Sequence, residues 1–196
     1  MSSGLSPKLI LASASPRRQE LLRQLGLDFE VIPSSIEERI SPGTEPDMAA
    51  MKLAESKAVD VAHRVEDGLV IGADTVVALD DCILGKPKDE EEAREMLERL
   101  SGRWHRVFTG IAVINKATLE KVTTCEESRV KFKDINAAEI ENYIRTGEPM
   151  DKAGAYGIQG KGALLVEKIE GCYYNIVGLP LFKLSLVLSH FGVKIL

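Results

Sequence analysis

The sequence has little cysteine, few aromatic residues and no excess of positive charge, and each shortage excludes a class of protein. Its three cysteines, Cys82, Cys125 and Cys172, form no Cys-x-x-Cys pair, so we expect reduced thiols rather than disulfides or a zinc site. Aromatic residues make up 5% of the chain and the net charge is -5. A broad nucleic-acid surface normally needs a basic face, so no nucleic-acid partner is predicted.

Long apolar runs and several common site motifs are also absent. No run is long enough to span a bilayer, and the first seven residues lack the basic and apolar regions of a signal peptide. We therefore predict a cytoplasmic protein with no membrane partner. The chain contains no Gly-x-x-x-x-Gly-Lys-Ser/Thr, Gly-x-Gly-x-x-Gly, His-Glu-x-x-His or Gly-x-Ser-x-Gly motif, which disfavours P-loop ATPases, Rossmann dehydrogenases, zincins and α/β-hydrolases.

The composition and the order of the predicted elements favour one compact α/β domain over residues 1–196. Hydrophobic residues are 44% and charged residues 28% of the chain, as in ordinary globular proteins. Strands and helices alternate at first and hairpins follow, which predicts a mixed sheet with helices packed against it. The predicted strands cover about 9–12, 29–33, 69–79, 83–84, 106–115, 121–132, 164–169 and 173–177, and the predicted helices about 16–25, 47–66, 89–100, 137–145 and 180–191. We expect Asp80-Asp81 to form one hairpin turn and Glu170-Gly171 to join the last two strands.

The segment Ser13-Ala14-Ser15-Pro16-Arg17-Arg18 joins the first predicted strand to the first helix. Unpaired amides at a helix start favour an anion, and the forked guanidinium groups of arginine match phosphate oxygens. The segment is therefore a candidate phosphate cradle. The alternative is a helix-capping serine followed by surface arginines.

Asp74 interrupts an apolar run that extends from Leu69 to Val77. Because an unpartnered charge is costly to bury, we expect Asp74 to be a metal ligand or a general base. A carboxylate at a local bulge or turn, bonded to nearby amides, is the alternative.

Four further charged residues are candidates, although most such residues are simply solvated. Glu37 and Glu38 lie in a polar loop, Lys57 lies beside the apolar stripe of a predicted helix, and Lys86 lies between a glycine and a proline. Residues 152–162 contain four glycines and are predicted to form a loop whose backbone approaches a ligand.

Four blocks follow one another along the chain: Ser13-Ala14-Ser15-Pro16-Arg17-Arg18, Gly72-Ala73-Asp74-Thr75, Gly85-Lys86-Pro87 and Asp151-Lys152-Ala153-Gly154-Ala155-Tyr156-Gly157-Ile158-Gln159-Gly160. With these blocks in this order, the chain resembles the Maf family of nucleoside triphosphate pyrophosphatases. The resemblance implies a mixed, twisted α/β sheet flanked by helices, with two lobes around a deep cleft, similar to the Ham1-like inosine triphosphate pyrophosphatases. It also implies hydrolysis of a nucleoside triphosphate to the monophosphate and pyrophosphate by metal-assisted water attack at the α-phosphorus.

The resemblance further implies roles for individual residues. Asp74 would accept the proton of the attacking water, and phosphate binding would fall to Ser13, Arg18, Lys57 and Lys86. A divalent cation, Mg²⁺ or Mn²⁺, would be held by Glu38, Glu37 and Asp74. The choice between Glu37 and Glu38, and between base and metal ligand for Asp74, stays open at this point.

Three positions indicate the branch of the family. Arg17, Thr75 and Gln159 resemble the subgroup that acts on dTTP and UTP rather than the subgroup that prefers 7-methyl-GTP. The Gln159 carboxamide also complements the N3–H and carbonyl groups of thymine and uracil. We therefore predict a cytoplasmic dTTP/UTP pyrophosphatase that removes noncanonical or excess pyrimidine nucleotides and, by analogy with its relatives, forms a homodimer. The alternative is a nucleotide-binding regulator of cell division or septum formation with little catalysis.

Overall fold

The computed structural model describes residues 7–80 and 82–196. Residues 1–6 of the N-terminal segment and Asp81 of the predicted Asp80-Asp81 turn lie outside the described residues. The strands are β1 (Leu9–Leu11), β2 (Phe29–Val31), β3 (Leu69–Leu79), β4 (Cys82–Leu84), β5 (Trp104–Asn115), β6 (Lys121–Phe132) and β7 (Val166–Glu170). The helices are α1 (Pro16–Gln24), α2 (Pro46–Ala62), α3 (Glu90–Leu100), α4 (Ala137–Ile144), α5 (Tyr173–Val177) and α6 (Leu181–His190).

The strands form a mixed sheet in the order β2-β1-β3-β5-β6-β7, and β4 pairs with β3. β1 is parallel to both β2 and β3, whereas β3 with β4 and β6 with β7 are antiparallel pairs. The predicted α/β class with a mixed sheet and flanking helices is therefore confirmed. No helix within the described residues is long and apolar enough to cross a membrane.

The chain divides into two compact units. Unit 1 comprises residues 1–74, 109–126 and 178–196, and unit 2 comprises residues 75–108 and 127–177. The single domain over residues 1–196 and the deep cleft stay predictions.

In unit 1, helix α2 packs directly on strand β3. A Cβ atom at Gly72 would lie 2.2 Å from the Ala54 carbonyl oxygen and 2.8 Å from the Ala58 nitrogen, so only glycine allows this close approach. The face of α2 that packs into the core is fully buried and includes Ala54, Ala58 and Val61. Lys57 lies on the same helix between the two alanines, and the packing therefore brings its side chain to the strand.

In unit 2, helix α3 begins at a side-chain cap and buries one apolar face. The Asp89 carboxylate accepts a hydrogen bond of 2.9 Å from the Glu92 amide, and the buried residues of the helix are Ala93, Met96, Leu97 and Leu100. Both features are local in the sequence, and they match the predicted helix closely.

The predicted hairpin of 164–169 with 173–177 is wrong. Residues Tyr173–Val177 form helix α5, and β7 pairs with β6 instead. Tertiary contacts override the strand preference of this segment. The fully buried Asn175 donates through Nδ2 to the Val107 carbonyl at 3.0 Å and to the Ser128 hydroxyl at 2.9 Å.

The strand predicted over 69–79 is observed as β3, which runs without interruption through Asp74, so the alternative of a turn carboxylate is wrong. One other expectation also needs correction. The glycine-rich stretch 152–162 is not a uniform loop, because it contains the short 3-10 segment Ala153–Ala155 and the start of another, Gly160–Leu165.

Candidate active site

Ser13 and Arg18 lie together where β1 ends and α1 begins. Both side chains are buried. The Ser13 hydroxyl accepts hydrogen bonds from Arg18 Nη1 at 3.2 Å and from the Ser15 amide at 3.3 Å. Arg18 Nε donates to the Gly178 carbonyl oxygen at 2.8 Å, so one nearby group and one group distant in sequence fix the guanidinium.

The capping alternative for Ser15 receives no support from the geometry. Ser15 occupies the N-cap position of α1, but its side chain makes no capping hydrogen bond, and Pro16 follows as predicted. The helix start is therefore not closed by its own serine. Amides in this position suit an anion, as the phosphate-cradle interpretation requires.

Lys57 forms the centre of a charged cluster, which we define as Glu38, Lys57 and Asp74. Its Nζ atom lies 2.6 Å from Glu38 Oε1 and 2.5 Å from Asp74 Oδ1. The side chains of Lys57 and Asp74 are 11% and 9% exposed, whereas that of Glu38 is 39% exposed. One ammonium group thus joins a carboxylate from a loop to a carboxylate from the middle of a strand.

Burial dominates the electrostatics of this region. It raises the pKa of the Asp74 carboxyl, while the positive charges of Lys57 and Arg18 act in the opposite direction. Burial also lowers the pKa of the Arg18 guanidinium, against the attraction of Asp74. A carboxylate with a raised pKa is a better proton acceptor than an exposed one, which is the property that a general base needs.

The two acids of the 34–46 loop are placed differently. Glu37 is highly exposed and pairs with Arg39 at 2.6 Å, whereas Glu38 reaches Lys57. No group of three histidine, cysteine, aspartate or glutamate residues that could hold a metal is found within residues 7–80 and 82–196. Glu38 and Asp74 nevertheless provide two carboxylates around one positive charge, and Mg²⁺ sites commonly use one or two carboxylates together with substrate phosphates. The donor set therefore fits a hard divalent cation, and of the two loop acids Glu38 is the one that contacts Lys57 beside Asp74.

In unit 2, the structure brings the Gly85-Lys86-Pro87 turn to the glycine-rich stretch. The Gly154 amide donates a hydrogen bond of 2.9 Å to the Gly85 carbonyl oxygen. Gly154 also packs on Val77 of β3, since a Cβ atom there would lie 3.0 Å from Val77 Cγ1. Lys86 is exposed, whereas Thr75 and Gln159 are half-buried.

Comparison with known proteins identifies the family. A family model described as Maf-like protein matches residues 8–191. The chain belongs to the Maf-like family. It is 53% identical over 196 aligned residues to a protein from Acetivibrio thermocellus named dTTP/UTP pyrophosphatase, covering 96% of this chain and 98% of that protein. It is also 52% identical over 188 residues to a Clostridioides difficile protein of the same name, covering 95% and 97% of the two chains.

One solved structure supports the fold of this Maf-like chain. A HAM1 protein from Coxiella burnetii has a TM-score of 0.50 and 16% sequence identity, and the match covers 94% of this chain and 99% of that one. The expected relation to Ham1-like proteins is therefore confirmed at the level of the fold.

Two residues that support the Maf-like site were missed in the sequence. Asp60 accepts hydrogen bonds from the Ser34 hydroxyl at 2.8 Å and the Ser35 amide at 2.9 Å, which fixes the start of the loop that carries Glu38. These hydrogen bonds lower the pKa of the Asp60 carboxyl. Glu148 supports the loop around Gln159 in a similar way. Asp60 is an acid near the end of a helix, followed by Val61-Ala62-His63, and nothing in that pattern signals such a role; only the Gly-Glu-Pro turn marks Glu148 in the sequence.

Proposed function

We propose that this Maf-like protein is a nucleoside triphosphate pyrophosphatase that converts dTTP and UTP to the monophosphate and pyrophosphate. The observation that carries the proposal is the charged cluster, in which Lys57 joins the buried Asp74 to Glu38. The names of relatives about half identical over nearly the whole chain support the substrate class.

Asp74 is the proposed proton acceptor for the attacking water. Its burial favours proton uptake, and the charges of Lys57 and Arg18 favour the ionised form from which it can act. Arg18 and Ser13 are proposed to bind phosphate, and their mutual hydrogen bond at 3.2 Å orients them before substrate arrives. Lys57 and Lys86 are assigned the same role as point charges.

Glu38 and Asp74 would hold a divalent cation, Mg²⁺ or Mn²⁺. Such an ion, when bound, supplies positive charge that offsets the charge developing on the pyrophosphate leaving group. The protein contributes the two carboxylates, one from the loop that Asp60 fixes and one from the rigid strand β3.

Gln159, Thr75 and Arg17 are the proposed determinants of the base. The carboxamide of Gln159 can donate to a carbonyl oxygen and accept from N3–H of uracil or thymine. A base that reverses these groups leaves buried polar atoms unpaired, which is an effective basis for discrimination. We further propose a cytoplasmic location, where free nucleotides are found, and a homodimer, which a native mass measurement would test.

The experiment is hydrolysis of a nucleotide panel in water enriched in ¹⁸O, with Mg²⁺ or Mn²⁺ present. We expect pyrophosphate rather than orthophosphate, fastest release from dTTP and UTP, and the label in the monophosphate because water attacks the α-phosphorus. Label in the pyrophosphate would place the attack at the β-phosphorus, and no turnover of any triphosphate would refute the enzyme proposal.

A further inference from the structure

Glu148 makes an unusual contact with the stretch that carries Gln159. Its carboxylate accepts hydrogen bonds from the Lys161 amide at 3.1 and 3.2 Å and from the Gly162 amide at 3.3 Å. These amides belong to the first residues of the 3-10 segment Gly160–Leu165, for which Gln159 is the N-cap residue. The carboxylate comes from 13 residues away in sequence.

This contact leaves the side chain of Gln159 available. Amides at a helix start are often satisfied by the N-cap side chain, but Gln159 makes no such bond. No hydrogen bond to its carboxamide is found within residues 7–80 and 82–196. Glu148 thus takes over the capping function, and the Gln159 carboxamide can pair with a ligand.

Gly160 shows how closely Glu148 holds the backbone beside Gln159. Gly160 has a φ of 68°, and a Cβ atom there would lie 2.9 Å from Glu148 Oε1 and 3.0 Å from Oε2. Both the left-handed conformation and the close approach favour glycine. A stretch rich in glycine is flexible by itself, so its shape depends on such external contacts.

Glu148 is itself fixed by its neighbours in unit 2. Its amide donates to the Thr146 hydroxyl at 3.1 Å, and its carbonyl oxygen accepts from Lys152 Nζ. The buried Tyr143 hydroxyl completes the support, because it accepts from the Gly157 amide at 3.2 Å. Burial raises the pKa of Tyr143 to about 12, and the charge of Glu148 contributes to the shift. The tyrosine therefore stays neutral beside the carboxylate.

We propose that Glu148 is a positioning residue for base selection, which fixes the backbone on the C-terminal side of Gln159 and so determines where the Gln159 carboxamide meets the base. The inference rests on the proposed function and deepens it. A carboxamide that moves freely can turn over and pair with cytosine as well as with uracil. Selection of uracil therefore depends on how the side chain is placed and confined, and Glu148 controls that placement without contact with substrate.

The test compares UTP with CTP in Glu148→Gln, with the exposed Glu167→Gln of β7 as matched control. The neutral amide has one acceptor oxygen in place of two, so it loses part of the contact with the Lys161 and Gly162 amides. We expect the ratio of kcat/KM for UTP to that for CTP to fall about tenfold, with kcat for UTP reduced less than about threefold. Glu167→Gln should leave the ratio unchanged.

A double-variant cycle decides whether Glu148 acts through Gln159. In a Gln159→Ala background, Glu148→Gln should change the UTP/CTP ratio by less than about twofold. Should Glu148→Gln fail to fold, Glu148→Asp, which keeps the charge but shortens the side chain, is measured in the same way.

Three results overturn the inference. An unchanged ratio with a lowered melting temperature would make Glu148 a purely structural residue. An equal effect in the Gln159→Ala background would separate Glu148 from Gln159, and an equal fall for UTP and CTP would separate it from selection. A wild-type protein that hydrolyses no triphosphate would instead refute the proposed function, so the two failures are distinguishable.

Discussion

The charged cluster of unit 1 and the glycine-rich stretch of unit 2 hold their functional groups in different ways. In the cluster, charged side chains fix one another, because one lysine contacts both Glu38 and Asp74. In the stretch around Gln159, hydrogen bonds fix the backbone, and no hydrogen bond to the Gln159 carboxamide is found in the part of the chain that the structure describes. Changes in the cluster should therefore alter the rate with every nucleotide, whereas changes around the stretch should alter the choice among nucleotides.

Asp74→Asn should produce the largest effect. Loss of the proton acceptor should lower kcat/KM by about 10³-fold with every nucleotide, within the range for general-base catalysis. Because burial raises the pKa of Asp74, the folded state disfavours its charge, and the neutral amide should not lower the melting temperature. Steady-state kinetics on dTTP, UTP and CTP with a thermal melt measure both, and the exposed Asp67→Asn serves as control. Activity within tenfold of wild type would leave Asp74 with a structural role alone.

Lys57→Met should give the next largest effect, and it acts on stability as well as on rate. Without the ammonium, Asp74 keeps a buried charge without its partner, which costs about 3 kcal/mol in comparable buried pairs. We expect kcat/KM to fall about 10²-fold for all nucleotides, with a lower midpoint of urea unfolding. Lys52→Met changes an exposed lysine of the same helix and should leave both unchanged. A variant with wild-type stability would show that the cluster is not held together by Lys57.

Local signals in the sequence predicted much of this molecule. Apolar runs, a proline at a helix start and a glycine after a helix placed β1, α1 and α3 within one or two residues of their observed bounds. The segment Tyr173–Val177 was mistaken for a strand because its residue types favour strands, while the contacts of Asn175 that make it a helix come from distant parts of the chain.

The candidate site shows the same limit. The residue types of Glu38, Lys57 and Asp74 indicated charge chemistry, but that one ammonium group would lie between two carboxylates depends on the packing of α2 against Gly72. The hydrogen bond between the Lys161 amide and Glu148 likewise forms only in the folded chain, because it joins residues 13 apart in sequence. Sequence patterns report periodicity and local turns, and they do not report which distant side chains meet.

A further prediction concerns the pH dependence of folding stability, which His105 in unit 2 should influence whether or not nucleotide is bound. Its Nε2 lies 2.7 Å from the Tyr156 hydroxyl, and burial lowers its pKa from 6.5 to about 4. The unfolded chain therefore binds the proton more readily, so stability is present above pH 6.5 and is lost as the pH falls toward 4. Between pH 7 and 5 this loss amounts to about 2 kcal/mol.

His105→Gln should remove that share of the pH dependence, because glutamine can pair with Tyr156 but does not titrate. Urea unfolding at pH 7 and pH 5 gives the difference, and the exposed His63→Gln provides the matched control. An acid-induced loss of stability that is the same in wild type and His105→Gln would place its origin elsewhere.

Gln159→Glu should have a smaller effect on rate than either change in the cluster, and its main effect should be on selectivity. A carboxylate cannot donate to the carbonyl oxygen of uracil or thymine, but it can accept from the amino group of cytosine. We expect kcat/KM for dTTP and UTP to fall about tenfold, with CTP affected less and the melting temperature nearly unchanged. Gln24→Glu, the same change at an exposed position of α1, should alter none of these. If the order of preference among the nucleotides stays the same, Gln159 does not select the base, and the division between a cluster that sets rate and a backbone that sets choice fails with it.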